Sequence, residues 1–354
     1  MDALNIINTI IQYTPELNGL SQATKQTMAN VGQEIVQDST KCNAFLRKLV
    51  DRICSQEIMS NPIFENPLAK FKSGQVPFGS YDQTLYVNPA SEEQYTMDSQ
   101  DLLKVQPPDV KATYYGTIRK SKYPVTINDT ILMRAFTGNT EFAELIASIT
   151  NSLGSGDNID EFELMKNLLV NAYKNKRIPI ITIDGGDVKE QLENLLISVK
   201  AYSGDFTFPS TAFSGYNIVN KAKIKSGQET PVKMWTPRQF QSFITTNSLN
   251  SLMDVKTYSA MFNEQRGEIP PEKILVNNFA ESDAVAFLID DRFIKVKDIL
   301  VKMGTFNNED NLTHKTIRHH HQRFGYNIIA NAIAFKFKTE STDTETGEGT
   351  GSES

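Results

Sequence analysis

The sequence is poor in the features that announce chemistry. Its 354 residues contain no GxxxxGK(S/T) phosphate loop, no GxGxxG, no GxSxG and no HExxH, so nucleotide binding, acyl transfer and metallohydrolysis lack a local signature. The two cysteines, Cys42 and Cys54, are too few for a disulfide framework or a four-thiolate zinc site; twelve apart in a helical stretch, they read as small apolar residues. No run approaches the ~18 apolar residues that cross a bilayer. The start, MDALNIINTIIQYTPEL, lacks the basic head and long apolar stretch of a signal peptide. Neither a membrane span nor secretion is expected, and no cofactor or catalytic residue is assigned.

Basic excess is missing as well. The formal charge is −6, from 36 Lys+Arg against 42 Asp+Glu. Five of those acids sit in the last stretch, Thr339–Ser354, which has no basic and no apolar residue. That tail cannot bury a core and is expected to be disordered and dispensable for folding. Without it the body carries −1, which suits a protein that packs against copies of itself. With no basic stripe visible along the chain, a shallow salt dependence and weak binding to duplex DNA are expected.

What is present is a mixture of helical and extended segments, an α+β pattern without internal repeats or regular βαβ alternation. Residues 1–60 carry narrow apolar stripes at helical spacing (Leu4, Ile7, Ile10, Ile11, then Met28, Val31, Ile35) that gain stability by lying on another surface. Residues 61–125 are short extended runs punctuated by Asn61-Pro62, Asn66-Pro67, Gly74, Gly79, Asn88-Pro89 and Pro107-Pro108. Helices follow: a short one over Asp129–Phe136, a second ended by Gly154 and Gly156, and a third capped by Asn158 with Glu161 and running past Leu168 and Ala172. A strand at Ile178–Ile183, a helix capped by Asp187 with Glu190, a strand at Phe240–Thr246, a helix at Leu249–Phe262 and strands at Lys273–Val276 and Val285–Ile289 complete the pattern.

The polar clusters have structural explanations. His314, His319, His320 and His321 read as an alternating strand rather than a metal site, with no carboxylate or thiolate expected close by to finish a site. Asp290-Asp291 reads as a turn. Gly185-Gly186 reads as the entry to a helix whose cap, Asp187, already accepts from the amides an anion would use. Lys221, Lys223 and Lys225 read as a solvated loop.

Read in order, a series of short strings is similar to the major capsid proteins of tailed bacteriophages of Gram-positive bacteria. They are Asn66-Pro67-Leu68 with Phe71-Lys72, Val76-Pro77-Phe78-Gly79, Tyr86-Val87-Asn88-Pro89, Pro108-Asp109-Val110-Lys111, Tyr123–Asn128, Arg134-Ala135-Phe136 and Asp160-Glu161-Phe162. Later matches are Thr245-Thr246, Ala260–Asn263, Leu288–Asp291 and the closing stretch His319–Phe337; residues 1–55 and 205–240 offer little to match.

That resemblance implies a tailed-phage major capsid protein fold, with an N-terminal arm (1–60), an extended β-loop over a neighbouring subunit (61–125) and a peripheral domain with a spine helix (126–183). It further implies an axial domain (mostly 184–305), return strands of the peripheral domain (306–338) and the acidic tail (339–354). Phe71, Phe78, Tyr81, Tyr86 and Tyr95 become the inter-subunit contact candidates, since aromatics in an uncovered loop gain by burial against a neighbour. The implied function is self-assembly through pentamers and hexamers into an icosahedral head, in the host cytoplasm, enclosing double-stranded DNA with weak contact. The implied partners are a portal and a separate scaffolding protein or none; about 60 residues before Asn61-Pro62 are too few for a fused scaffold and an arm together. An encapsulated-nanocompartment shell of the same fold, and an enzyme of unknown type, are the alternatives.

Overall fold

The computed structural model describes residues 3–55, 64–77, 82–92, 105, 107–128, 132–133, 136, 139–260, 272–308 and 313–338. Phe78, Tyr81, Tyr95, most of the short helix expected at 129–136 and the tail lie outside them. In chain order the helices are α1 (Ala3–Tyr13), α2 (Met28–Gln37), α3 (Ser39–Ser55), α4 (Asn139–Lys174), α5 (Val188–Asp205), α6 (Gly215–Val219), α7 (Lys221–Lys225) and α8 (Asn247–Ala260). The strands are β1 (Lys72–Gln75), β2 (Asp82–Val87), β3 (Val110–Tyr115), β4 (Thr117–Asn128), β5 (Ile180–Ile183) and β6 (Gln241–Thr246). They continue with β7 (Glu272–Val276), β8 (Ala284–Asp290), β9 (Ile294–Asn308), β10 (Thr313–Tyr326) and β11 (Ala332–Phe337). Among the described residues no helix is long and apolar enough to cross a membrane.

The chain forms two compact units. The first comprises Met1–Val87, Val110–Leu169 and Ile294–Asn327. It holds a four-stranded sheet, β1-β9-β10-β4, and the two-stranded ribbon β2-β3. Ile7, Ile10, Val31, Ile35, Phe45 and Leu46 from α1–α3 share one buried cluster with Ile127, Leu132, Phe136, Ile149 and Leu153. The stripes expected to need another surface thus find it within this unit, and residues 3–49 are not a free arm. Gly32 shows how close the approach is: a Cβ there would fall 2.3 Å from Phe136 Cγ.

The second unit comprises Asn88–Asp109, Val170–Phe293 and Ile328–Ser354. Its five-stranded sheet has the order β5-β11-β8-β6-β7. Phe243, Leu288, Ile333, Phe335, Leu192 and Phe206 are buried together around it. Asp187 caps α5 as its sequence position predicts: its side chain accepts from the Glu190 amide at 2.7 Å, and Glu190 reaches back to the Gly186 amide at 2.8 Å.

Three boundaries differ from the expected ones. α4 runs unbroken through Gly154 and Gly156; a mid-helix glycine weakens a helix by only about 1 kcal/mol, which tertiary contacts of the flanking residues offset. Strand β9, placed by sequence mostly with the 184–305 block, pairs with β10 in the first unit. The 306–338 block divides, because β10 joins the four-stranded sheet while β11 lies between β5 and β8. The lysine cluster 221–225 forms the short helix α7 rather than a loop, exposed as expected.

Candidate assembly interface

The ribbon β2-β3 presents an exposed apolar face. Its register pairs Gln83 with Tyr114, Leu85 with Ala112 and Val87 with Val110, so these residues share one face. On that face Leu85 is 57 %, Val87 55 %, Val110 47 % and Tyr114 71 % exposed. The opposite face is covered: Tyr115, Thr113 and Lys111 are buried, and Tyr115 Oη donates to Thr84 Oγ1 at 2.7 Å. A two-stranded ribbon with a bare apolar side is marginal alone and gains by being covered.

The sequence-derived aromatics fall differently. Phe71 is 3 % exposed inside its own unit, which removes it as a surface residue; it sits in the turn before β1, where the chain dives toward the sheet. Tyr86 is half-buried on the covered face of the ribbon. Phe78, Tyr81 and Tyr95 lie outside the described residues. The exposed set Leu85, Val87, Val110 and Tyr114 was detectable from period-two alternation, but only pairing register decides which side of a strand is bare.

The long helix α4 is tied to the four-stranded sheet by a buried ionic cluster. Asp157, 2 % exposed, and Glu161, 5 % exposed, project from α4. Both Asp157 oxygens lie 2.7 Å from His320 Nδ1, and Asp298 Oδ1 lies 2.9 Å from His320 Nε2. Arg318 Nη2 reaches Asp157 at 3.0 Å and Arg119 Nη2 at 3.7 Å. Lys72 Nζ bridges Glu161 and Asp298 at 3.0 Å each. Gln322 Nε2 donates to Glu161 and, at 3.1 Å, to Asp298. Helix α4 is thereby fastened to β1, β4, β9 and β10.

An imidazole with a carboxylate on each nitrogen can satisfy both only as a double donor, hence protonated. Burial alone pushes His320 down, but the hydrogen bonds to Asp157 and Asp298 outweigh it and raise its pKa. Burial likewise opposes ionisation of Asp157, yet His320, Arg318 and Arg119 hold it below the usual carboxylate range. Asp298, against the same burial, is held at about 2 by His320, Gln322 and Lys72. Lys72 is raised despite burial by Glu161 and Asp298.

Glu161, Asp298 and His320 offer ligand atoms within 4.8 Å of one another, but Lys72 and the imidazolium already supply the cations this carboxylate pocket requires. The expectation that no carboxylate lies near the histidines is corrected: Asp157 and Asp298 come from distant parts of the chain. His314 is also placed structurally, with Nε2 3.2 Å from Cys42 Sγ and Nδ1 3.2 Å from Asn43 Oδ1. Asp290 serves its turn, accepting from the Arg292 amide at 2.8 Å and from Thr236 Oγ1 at 2.6 Å. The cluster is a clamp.

The chain is 28 % identical over 316 residues to the major capsid protein of Bacillus phage B103, covering 88 % of this chain and 68 % of that protein. It is 27 % identical to the major capsid protein of Streptococcus phage Cp-1, covering 83 % of each. In structure it resembles a chain of the Staphylococcus phage Andhra capsid, with a TM-score of 0.60, 14 % identity, and 80 % and 87 % of the two chains covered. A chain from the structure of head fiber and inner core protein gp22 of native bacteriophage P68 matches with a TM-score of 0.58 and 14 % identity, covering 79 % and 87 %. These likenesses show the tailed-phage capsid fold. Residues 5–336 match the family described as Phi29-like phage major capsid protein, and the chain belongs to that family.

Proposed function

We propose that copies of this chain, a structural protein of the phage virion by its family, close through pentamers and hexamers into an icosahedral head. In this reading a portal completes the shell, a scaffolding protein is separate or unnecessary, assembly takes place in the host cytoplasm, and double-stranded DNA is held by enclosure. The first unit is read as the peripheral domain, with α4 as its spine, and the second as the axial domain.

The observation that carries the reading is the bare apolar face of the ribbon, with Leu85, Val87, Val110 and Tyr114 exposed. Covering it with a neighbouring copy contributes roughly 25 cal/mol per Å² removed from water, repeated at each contact of a closed shell. Sedimentation and negative-stain microscopy of the purified chain test it: capsomers or shells are expected, and a compact monomer persisting at high concentration overturns it.

A further inference from the structure

The two faces of the four-stranded sheet have opposite characters. The register places Ile118, Lys120 and Lys122 of β4 beside Arg323, His321 and His319 of β10, and these beside Lys297, Leu300 and Lys302 of β9. Lys315 and Phe306 pair farther along the same face. No Asp or Glu from these three strands points to this side, because their one acid, Asp298, pairs with Gln322 on the clamp side. The ion pairs of Lys72, Arg119, Arg318 and His320 described above also all lie on the clamp side. The basic stripe that the linear sequence does not reveal is therefore assembled by strand pairing. Arg323 sharpens the point: it is 5 % exposed, and its Nε and Nη1 have no hydrogen-bond partner among the described residues.

This face is not purely cationic. Phe306 is 63 %, Ile118 42 % and Leu300 38 % exposed upon it. A phosphate backbone offers nothing to such side chains, whereas an acidic peptide with interspersed apolar residues matches both properties. Apart from 156–164, which lies within α4 with Asp157 and Glu161 committed to the clamp, the sequence contains one such segment. Between Ser91 and Leu103 it reads SEEQYTMDSQDLL, with four acids, no base, and Tyr95, Met97, Leu102 and Leu103 among them. The other acidic stretch, Thr339–Ser354, has no apolar residue and so matches the charge alone.

We infer that the basic face of the β9-β10-β4 sheet is the docking site for the acidic segment 91–103 of a second copy of this chain. The contact is heterologous, acid of one subunit on base of the next, the type that closes into rings when the rotation permits. The inference rests on the self-assembly reading and specifies the chemistry of one of its contacts. It also leaves the genome enclosed rather than bound, since the cations are occupied by protein.

Charge exchange tests it on the full-length chain. Lys120→Glu with Lys122→Glu, and separately Glu92→Lys with Glu93→Lys, are expected to raise the subunit concentration needed for assembly roughly tenfold with unchanged thermal midpoints. The four substitutions together are expected to restore assembly. If a reversed variant fails to fold, the wild-type chain answers alone: added salt and a synthetic peptide of residues 91–103 are each expected to inhibit assembly, and indifference to both overturns the inference. Normal assembly by both reversed pairs, while Leu85→Ser with Tyr114→Ser still blocks it, overturns the charge pairing and leaves the shell reading standing. Truncation after Lys338 that reproduces the Lys120/Lys122 defect assigns the site to the tail and overturns the inference. So does normal assembly of that lysine variant accompanied by lost retention of duplex DNA.

Discussion

The two sheets of this protein solve different problems. In the five-stranded sheet β8 reads Ala284-Val285-Ala286-Phe287-Leu288-Ile289-Asp290 and is buried along nearly its whole length. Its neighbours β6 and β11 are nearly as closed. Such a sheet is held by transfer of apolar surface from water, and its strands are near-continuous apolar runs. In the four-stranded sheet β10 reads THKTIRHHHQRFGY, with few apolar side chains to bury. On one side it is held by the ion cluster together with the apolar cluster of α1–α3, in which Ile127 of β4 is buried, and on the other it leaves a basic, partly apolar face. The difference teaches that apolar burial dominates one sheet, whereas the other combines it with specific ion pairing and keeps a surface for neighbours.

The sharpest way to break the comparison is to damage each sheet in its own currency. Phe335 is fully buried in the five-stranded sheet, and Phe335→Ala is expected to destabilise by about 3–5 kcal/mol through lost burial and a cavity. Asp157→Asn removes the buried counter-charge shared by Arg318 and by Nδ1 of His320, leaving His320 only Asp298, and is expected to destabilise by about 3 kcal/mol. Thermal or denaturant unfolding checks both. Adding His320→Gln to Asp157→Asn should recover part of the second loss and none of the first.

Proton linkage separates the sheets further. His320 is raised in the folded state, so its stabilisation is full below the ordinary histidine value of about 6.5 and fades as pH rises through the elevated folded value. Asp157 and Asp298 are lowered, so theirs is present above about 4 and fades as pH falls through the folded values, about 2 for Asp298. The groups facing His320 are Asp157 from α4, Asp298 from β9, and the Arg119 and Arg318 guanidiniums on Asp157. Melting temperatures measured from pH 6 to 9 should fall with rising pH in the wild type more steeply than in His320→Gln. Parallel slopes would show that His320 does not carry the proton.

Smaller effects on stability are expected where the surface is for neighbours. Leu85→Ser with Tyr114→Ser should change the melting of the free subunit by no more than about 0.5 kcal/mol while raising the assembly threshold, because these side chains are exposed in the isolated chain. The smallest effect belongs to truncation after Lys338, which removes no apolar side chain and should leave both folding and assembly intact. A light-scattering assembly assay alongside the melts reads both variants.

Where periodicity was strong, the sequence reading matched the structure. The α5 cap at Asp187, the strand expected at Phe240–Thr246 and the α4 residues Leu168 and Ala172 were visible as local patterns; the structure has the cap, the strand at Gln241–Thr246 and both α4 residues buried. The break assigned to Gly154 and Gly156 failed because the contacts of Asp157 and Glu161 with β4, β10 and Lys72 outweigh a local weakness. Phe71 was misassigned for a related reason: an aromatic beside glycines and prolines reads as uncovered until the chain is folded over it.

The sequence by itself determined the α+β class, the acidic tail and the resemblance that led to the capsid family, since composition, capping and short strings are local properties. Tertiary structure alone decided the rest. Asp157 and His320 are 163 residues apart along the chain, and Lys120, Lys302 and Arg323 come from three strands. A carboxylate clamp and a basic face exist only once strand register has put those residues on the same side, because charges interact over distances in space and not along the chain.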